Sequence, residues 1–379
     1  MIIATCNRGM EKICAKEAKE ITGKRTGKEG NGLIHIDTEW KDAFKLNYIS
    51  KTMNRIILLL DKGEFNGLED LYEKARALDY YFINKKQSFA VRFSRHGKHC
   101  FTSIDAERTV GQAIIDSYRE KYRERLKVNL EEPEIMIRGF IKDKKYWLGI
   151  DTTGESLHKR GYRIYRHPAP LQTTIASALI RMAGWNEKQS LYDPCCGSGT
   201  IPIEAYLYGN KIPNKWRWQS FLIWNLRIFD HDEIIKEKER IDERQSKKKL
   251  SIYGSDISPK HVEGAKINAM AAGANINFFV EDVAKASFEY DFIITNPPYG
   301  KRVSSLRAAK KINRILEKKI LGARCKKAII LTAEPENLSD YDEKHAILYG
   351  RLWTYALIYK TSTEKFEIIV KDLNRFLIP

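Results

Sequence analysis

From residue 171 onward, short apolar runs of strand length alternate with longer stretches of helical periodicity, and that alternation leaves few folds open. The runs fall at 191–193, 251–254, 276–280, 291–295, 328–332, 345–349 and 354–359, with a helical pattern over 172–183 leading in. Helical patterns separate the earlier runs, so they are expected to lie side by side as crossover units of a mostly parallel sheet. The last two runs have almost no residues between them and are expected as an antiparallel hairpin at the sheet's end. A long insertion, roughly 210–249, carries Trp216, Trp218 and Trp224 and interrupts the alternation.

The first part of the chain is patterned differently. Helix-like segments at 11–21 and 40–50 flank a strand-like 33–36, and 55–60 is an apolar run of strand length, which makes 1–62 one small α+β unit. A second unit, 63–153, combines a helical pattern at 68–78 with a strand at 88–94. It continues with a helix for which Ser103 offers the N-cap and a closing pair of strands around the turn 142–144. Gly161, Pro168 and Pro170 punctuate 154–170 as a linker before the third unit at 171–379.

Composition narrows the partners. The 379 residues carry 66 Lys+Arg against 49 Asp+Glu, a net +17, which suits a polyanion; a lysine-rich soluble surface is the plainer alternative, and charge alone does not choose. Six cysteines form no CxxC pair, so neither a zinc ribbon nor a thioredoxin-like dithiol is suggested. No signal-peptide pattern and no membrane-length apolar stretch is visible, so a cytoplasmic protein with no membrane association and no evident obligate protein partner is expected.

The chemistry concentrates at the ends of successive strands. Asp193-Pro-Cys-Cys-Gly-Ser-Gly199 lies between a strand and a helix, where a glycine turn lets the backbone close on a ligand and aims helix N–H groups at an anion. The next strand ends at Asp256, placed to accept from two ribose hydroxyls, and the one after at Glu281-Asp282, with Asp282 placed to accept from an adenine amine. Each acid alone is more often a helix cap or a solvated strand end; three in register favour a nucleoside cofactor.

Asn296-Pro297-Pro298-Tyr299 then follows an apolar strand. Two prolines fix the backbone and leave its carbonyls without competing N–H groups. An exocyclic base amine is a poor nucleophile because its lone pair is delocalised into the ring. Acceptance of its protons by Asn296 Oδ1 and the Pro297 carbonyl would aim that lone pair at an electrophilic methyl group. Tyr299 offers a ring for stacking an extruded base.

With Asp193-Pro-Cys-Cys-Gly-Ser-Gly-Thr-Ile-Pro-Ile-Glu204 and Asn296-Pro-Pro-Tyr-Gly300 taken together, the chain resembles the THUMP-domain RNA guanine-N2 methyltransferases. Gly154-Glu-Ser-Leu-His-Lys-Arg-Gly-Tyr-Arg163 and Ala169-Pro-Leu171 look like that family's junction between RNA-binding and catalytic parts, as does Phe101-Thr-Ser103 leading into Val110-Gly-Gln-Ala113. The resemblance implies an N-terminal ferredoxin-like domain, a THUMP domain and a Rossmann-fold catalytic domain with a seven-stranded sheet. It implies S-adenosyl-L-methionine as donor, held by Asp193, Cys195, Gly197, Ser198, Gly199, Thr200, Asp256, Ile257, Asp282, Val283 and Asn296, with His167, Pro170 and Leu171 closing over the methionine end. Asn296, Pro297, Pro298 and Tyr299 are the implied catalytic residues. The family members most similar in arrangement methylate position 6 of tRNA, so acceptor stem and 3′ end are the expected contacts. No metal is expected.

Three alternatives stay open at this level. A related 23S rRNA enzyme shares these motifs but carries a second catalytic domain in its fused form. An N6-adenine DNA methyltransferase uses a similar tetrapeptide but needs a DNA target-recognition region. A catalytically silent RNA-binding module would keep the fold without requiring the acids.

Overall fold

The computed structural model describes residues 1–298 and 306–360, and they form two sheets. The N-terminal sheet is built from β1 (Ile2–Thr5), β2 (Thr26–Gly30), β3 (Leu33–Ile36), β4 (Arg55–Glu64), β5 (Ser88–His96), β6 (Lys127–Val128), β7 (Ile135–Lys142) and β8 (Lys145–Asp151), in the order β2-β3-β1-β4-β8-β7-β5-β6. Helices α1 (Glu11–Thr22), α2 (Ala43–Ile49), α3 (Leu68–Arg76) and α4 (Ser103–Tyr122) accompany it. Strand β4 pairs with β1 on one side and β8 on the other, so the two small units read from sequence share one continuous sheet.

Local sequence explains most of these elements. The apolar face of β7 alternates with its polar face at every residue, as a strand buried on one side requires. Helix α4 begins one residue earlier than its pattern implies: Thr102, not Ser103, is the N-cap, and Asp105 Oδ2 accepts from the Thr102 N–H at 2.8 Å to complete a capping box. The helical pattern at 40–50 divides into a 3-10 turn, Trp40–Asp42, followed by α2.

The catalytic unit follows the order α5 (Thr173–Ala183), β9 (Leu191–Asp193), α6 (Thr200–Gly209), α7 (His231–Asp242), β10 (Ile252–Asp256), α8 (Pro259–Ala272), β11 (Asn277–Val280), β12 (Phe292–Thr295), α9 (Leu306–Leu321), β13 (Lys327–Thr332), β14 (Glu343–Tyr349) and β15 (Leu352–Lys360). Its sheet runs β11-β10-β9-β12-β13-β15-β14. The first five strands are parallel, and β15 runs antiparallel to both β13 and β14, as the sequence implied. Among the described residues no helix is long and apolar enough to cross a membrane.

The two parts are joined by buried polar contacts, and 154–170 is packed along much of its length. Leu157 N–H donates to the Asn54 carbonyl at 2.9 Å, and Arg160 and Tyr162 are both buried. Glu204, wholly buried on α6, pairs with Arg160 and accepts from Tyr162 Oη at 2.8 Å and Ser177 Oγ at 2.6 Å. Glu17 on α1 meets Arg181 of α5 at 3.1 Å. In both carboxylates burial opposes ionisation, but the neighbouring guanidinium and hydrogen bonds prevail and hold the group below its ordinary pKa. The insertion also braces this joint, since Tyr48 Oη of α2 donates to Asp242 of α7 at 2.8 Å.

Candidate active site

Strand order sets the site. β11, β10, β9 and β12 are neighbours and parallel, so their C-terminal ends lie along one edge. In that row stand Asp282, just beyond β11, Asp256 at the end of β10, Asp193 at the end of β9, and Asn296, directly after β12. A ligand beyond the strand ends of an open parallel sheet sits in this position.

The glycine turn follows from its sequence. Gly197 and Gly199 have φ of +51° and +79°, a conformation that L side chains disfavour. A Cβ built on Gly197 would lie 3.5 Å from the His167 ring, and one on Gly199 would be 3.0 Å from Phe278. The turn is tied to its neighbours: Cys196 N–H donates to the Ser255 carbonyl at 2.8 Å, and Gly197 N–H to Asp256 Oδ2 at 3.1 Å. Ser198 and Thr200 are buried, and Thr200 Oγ1 accepts from Arg163 at 3.2 Å.

Asp193 is buried, with Oδ1 accepting from Thr295 Oγ1 at 2.8 Å and from the Cys195 N–H at 3.1 Å. Burial, aided by the nearby Asp256 charge, pushes its pKa up to about 7 despite those bonds. Burial, followed by Asp193 and Asp256, also pushes the Cys195 thiol up. This pocket disfavours negative charge.

Asp256 accepts through Oδ1 from Ser258 N–H at 2.9 Å and through Oδ2 from Gly197. A carboxylate has about four acceptor positions, so two remain. The next residue, Ile257, is 68% exposed, an apolar surface beside the strand end. Asp282 closes a tight turn by accepting from Ala284 N–H at 2.9 Å, and Val283 is buried beneath it.

His167 lies 4.3 Å from His261 between ring centroids, and burial together with that neighbour lowers its pKa. Pro170 offers its carbonyl to Tyr349 Oη, and the buried Leu171 offers its own to Arg163 at 2.7 Å. Pro297 is buried and Pro298 half-buried; Tyr299 lies outside the described residues. The residues missed from sequence are Thr295, which anchors Asp193, and Ser258, which caps α8 and steadies Asp256. Ser258 had a readable signal, a serine immediately before a proline that opens a helix.

Among the described residues no cluster of His, Cys, Asp and Glu could hold a metal ion. Phe93, an aromatic side chain of the N-terminal half, is buried over Gly139 and is not available to stack on an RNA base.

Comparison with known proteins places these features. Residues 1–57 match the RlmL ferredoxin-like domain, residues 65–151 the THUMP domain, and residues 160–348 the RMKL-like methyltransferase domain. The tRNA (guanine(6)-N2)-methyltransferase of Archaeoglobus fulgidus is 37% identical over 94% of this chain and 91% of its own length. The enzyme of the same description from Methanocaldococcus jannaschii is 37% identical, covering 92% of this chain and 97% of its own length. A solved structure described as a possible methylase from Clostridium difficile 630 superposes with a TM-score of 0.85 at 29% identity, covering 95% of this chain and 97% of its own.

Proposed function

The chain belongs to the THUMP-domain RNA guanine-N2 methyltransferases, and on that premise we propose that it methylates the exocyclic N2 of guanosine 6 in the acceptor stem of tRNA, using S-adenosyl-L-methionine. The observation that carries this reading is the row of Asp282, Asp256, Asp193 and Asn296 along adjacent parallel strand ends.

The residues fit the donor. Asp193 is a buried carboxylate beside a second acid, and a ligand bearing ammonium and sulfonium charges relieves that arrangement. Around the methionine end would stand His167, Pro170, Leu171, Asp193, Cys195, Gly197, Ser198, Gly199 and Thr200. Asp256 would take the ribose hydroxyls and Asp282 the adenine amine, with Ile257 and Val283 against the ring. When bound, the donor supplies an electrophilic methyl group on sulfur. Asn296 Oδ1 and the Pro297 carbonyl accept the amine protons of the base and orient its lone pair, so positioning provides most of the acceleration. Pro298 keeps the tetrapeptide stiff, and Tyr299 stacks on the extruded base.

One flipped guanosine gives the catalytic unit little with which to choose among many. The N-terminal half, 1–153, is the part that selects the RNA, measuring from the single-stranded 3′ end. We read the protein as cytoplasmic. Mass-spectrometric mapping of a tRNA pool treated with enzyme and donor is expected to show N2-methylguanosine at position 6 alone. Trimming the 3′ end is expected to depress that product. Methylation on adenine, or on rRNA with tRNA untouched, overturns the reading.

A further inference from the structure

The tryptophans that stand out in the insertion 210–249 pack at the joint between the two halves of the molecule. Trp224 meets Phe44 of α2 edge-on at 6.4 Å between ring centroids and Trp218 at 5.5 Å, and its Nε1–H donates to the Trp218 carbonyl at 2.7 Å. Trp216 lies edge-on to Tyr162 of the joining segment at 5.7 Å, so close that a Cβ built on Gly161 would fall 2.5 Å from its own. The two ends of the insertion are clamped together by the wholly buried Asn210. Its Oδ1 accepts from Ser246 Oγ and from the Lys248 N–H, both at 2.8 Å. Closed ends and interlocked rings make this segment a solid piece.

The insertion grips both N-terminal units. Toward the first, the buried Asn214 is the hub: its N–H donates to the Tyr48 carbonyl at 2.7 Å, and its Nδ2 to the carbonyls of Asn47 at 2.8 Å and Ser50 at 2.9 Å. Its Oδ1 accepts from the buried Lys51 at 3.0 Å. Toward the second, Asn225 Nδ2 donates to the Glu134 carbonyl at 2.8 Å, and the Asn225 carbonyl accepts from Gln87 Nε2 at 2.7 Å. Arg227 donates to the Tyr81 carbonyl, and the Ile223 N–H to the Thr152 carbonyl at 3.0 Å. Gln87 directly precedes β5, Glu134 precedes β7 and Thr152 follows β8, so the second unit is held by its strand ends. On its other side the insertion is continuous with the candidate site. Helix α6, which opens at the glycine turn, runs into it, and β10, which ends at Asp256, leaves it.

We propose that the insertion 210–249 is a specificity-determining strut: by fixing the second unit against α6 and β10, it decides which guanosine of the RNA arrives at Asn296. The proposal rests on the reading of the chain as an RNA methyltransferase whose N-terminal half selects the RNA, and it supplies the device that turns that selection into a position. Stacked bases follow one another roughly every 3 Å along a strand, and reacting atoms must come within about 3–3.5 Å of each other. Slack of one base step between the two halves is therefore enough to change the product. A donor pocket built within one unit is indifferent to the same slack. Side-chain hydrogen bonds to strand-end carbonyls limit it in direction as well as in distance.

The test maps methylated products by mass spectrometry on a tRNA transcript bearing guanosines at the target and at both neighbouring positions. In the full chain, Gln87→Ala, Asn225→Ala and Arg227→Ala together remove side-chain ties to the second unit and leave those to the first. The ratio of target to neighbouring product is expected to fall on the order of tenfold, the scale of losing a few partly exposed hydrogen bonds. Donor affinity by calorimetry is expected to match the parent. Gln87→Asn and Arg227→Lys in place of the alanines keep a donor at each position and should recover part of the ratio, which a general loosening of the fold would not allow. Lys236→Ala, an exposed side chain on α7 outside these contacts, is expected to behave as the parent. Should the triple variant fail to bind donor, the Gln87→Ala and Arg227→Ala single variants are mapped in its place. Uniform slowing with the parent's product ratio overturns the strut while leaving the RNA reading standing. A parent protein that methylates no guanosine of the tRNA overturns both.

Discussion

The two sheets carry their functional chemistry in opposite ways. On the catalytic sheet the groups we propose for the chemistry stand at strand ends, one per strand, and they are acidic or amide: Asp282, Asp256, Asp193, Asn296. On the N-terminal sheet a cluster of basic groups lies across a face instead: Arg55, Arg138, Lys142. Each sign suits a different ligand of one reaction, a cationic donor on one side and an anionic RNA on the other. The geometry differs for the same reason. A small cofactor is enclosed by convergent loop ends, whereas a long polymer needs a broad surface.

The sharpest way to break this comparison is at the end of β12. Asn296→Ala is expected to reduce turnover by about 100-fold or more, the scale seen when one oriented hydrogen-bonding group is lost from a reacting centre. Donor affinity should fall far less than turnover, since the amide's main action is on the base. Single-turnover kinetics within a few-fold of the parent would falsify the amine-activation role.

A smaller effect is expected one strand over. Asp256→Ala removes the acceptor proposed for the ribose hydroxyls and frees the Gly197 and Ser258 N–H groups, at about 1–3 kcal/mol of donor affinity. Asp256→Asn retains a carbonyl oxygen and should lose less. If calorimetry finds the alanine variant binding donor as tightly as the parent, Asp256 does not grip the ribose.

The same contrast governs what the sequence reveals. Strand-end chemistry is contiguous: Asp193 to Gly199 and Asn296 to Tyr299 are legible because turn, cap and functional group follow one another along the chain. Face chemistry is dispersed. Arg138, Phe140 and Lys142 alternate with core residues, and Arg55 joins them only through a strand order, β4-β8-β7, that local sequence cannot supply. β2, Thr-Gly-Lys-Glu-Gly, escapes notice because it lacks an apolar face and exists through its pairing with β3. The punctuation of 154–170 misleads in a related way. Gly161 and its neighbouring prolines read as a tether, yet Arg160 and Tyr162 satisfy buried Glu204 on α6. A catalytic fragment starting at 165 would leave that carboxylate buried without its guanidinium, a loss on the order of 3–5 kcal/mol. The two regions are therefore better separated by point substitutions than by cutting.

The smallest expected effect is also the most specific to the acidic side. Asp193 is buried and carries a pKa of about 7, well above the ordinary carboxylate range. The sign of its contribution to stability follows. At low pH the group is protonated in both folded and unfolded chains and costs nothing. As pH rises toward 7 the unfolded chain releases the proton first, so folding loses stability, and above about pH 7 the loss is complete. Asp193→Asn keeps an oxygen for the Thr295 hydroxyl and the Cys195 N–H but cannot ionise. Its melting temperature should therefore exceed the parent's at pH 8, and the gap should shrink toward pH 5. Donor affinity should move the other way, falling at pH 8 because the carboxylate that meets the cationic ligand is gone. Such a trade of stability for binding is characteristic of a group placed for its ligand. Thermal melts at the two pH values, with and without donor, read both effects in one series. A gap that does not change with pH would mean that Asp193 is an ordinary strand-end carboxylate, and the charge contrast between the two sheets would then lose its most buried member.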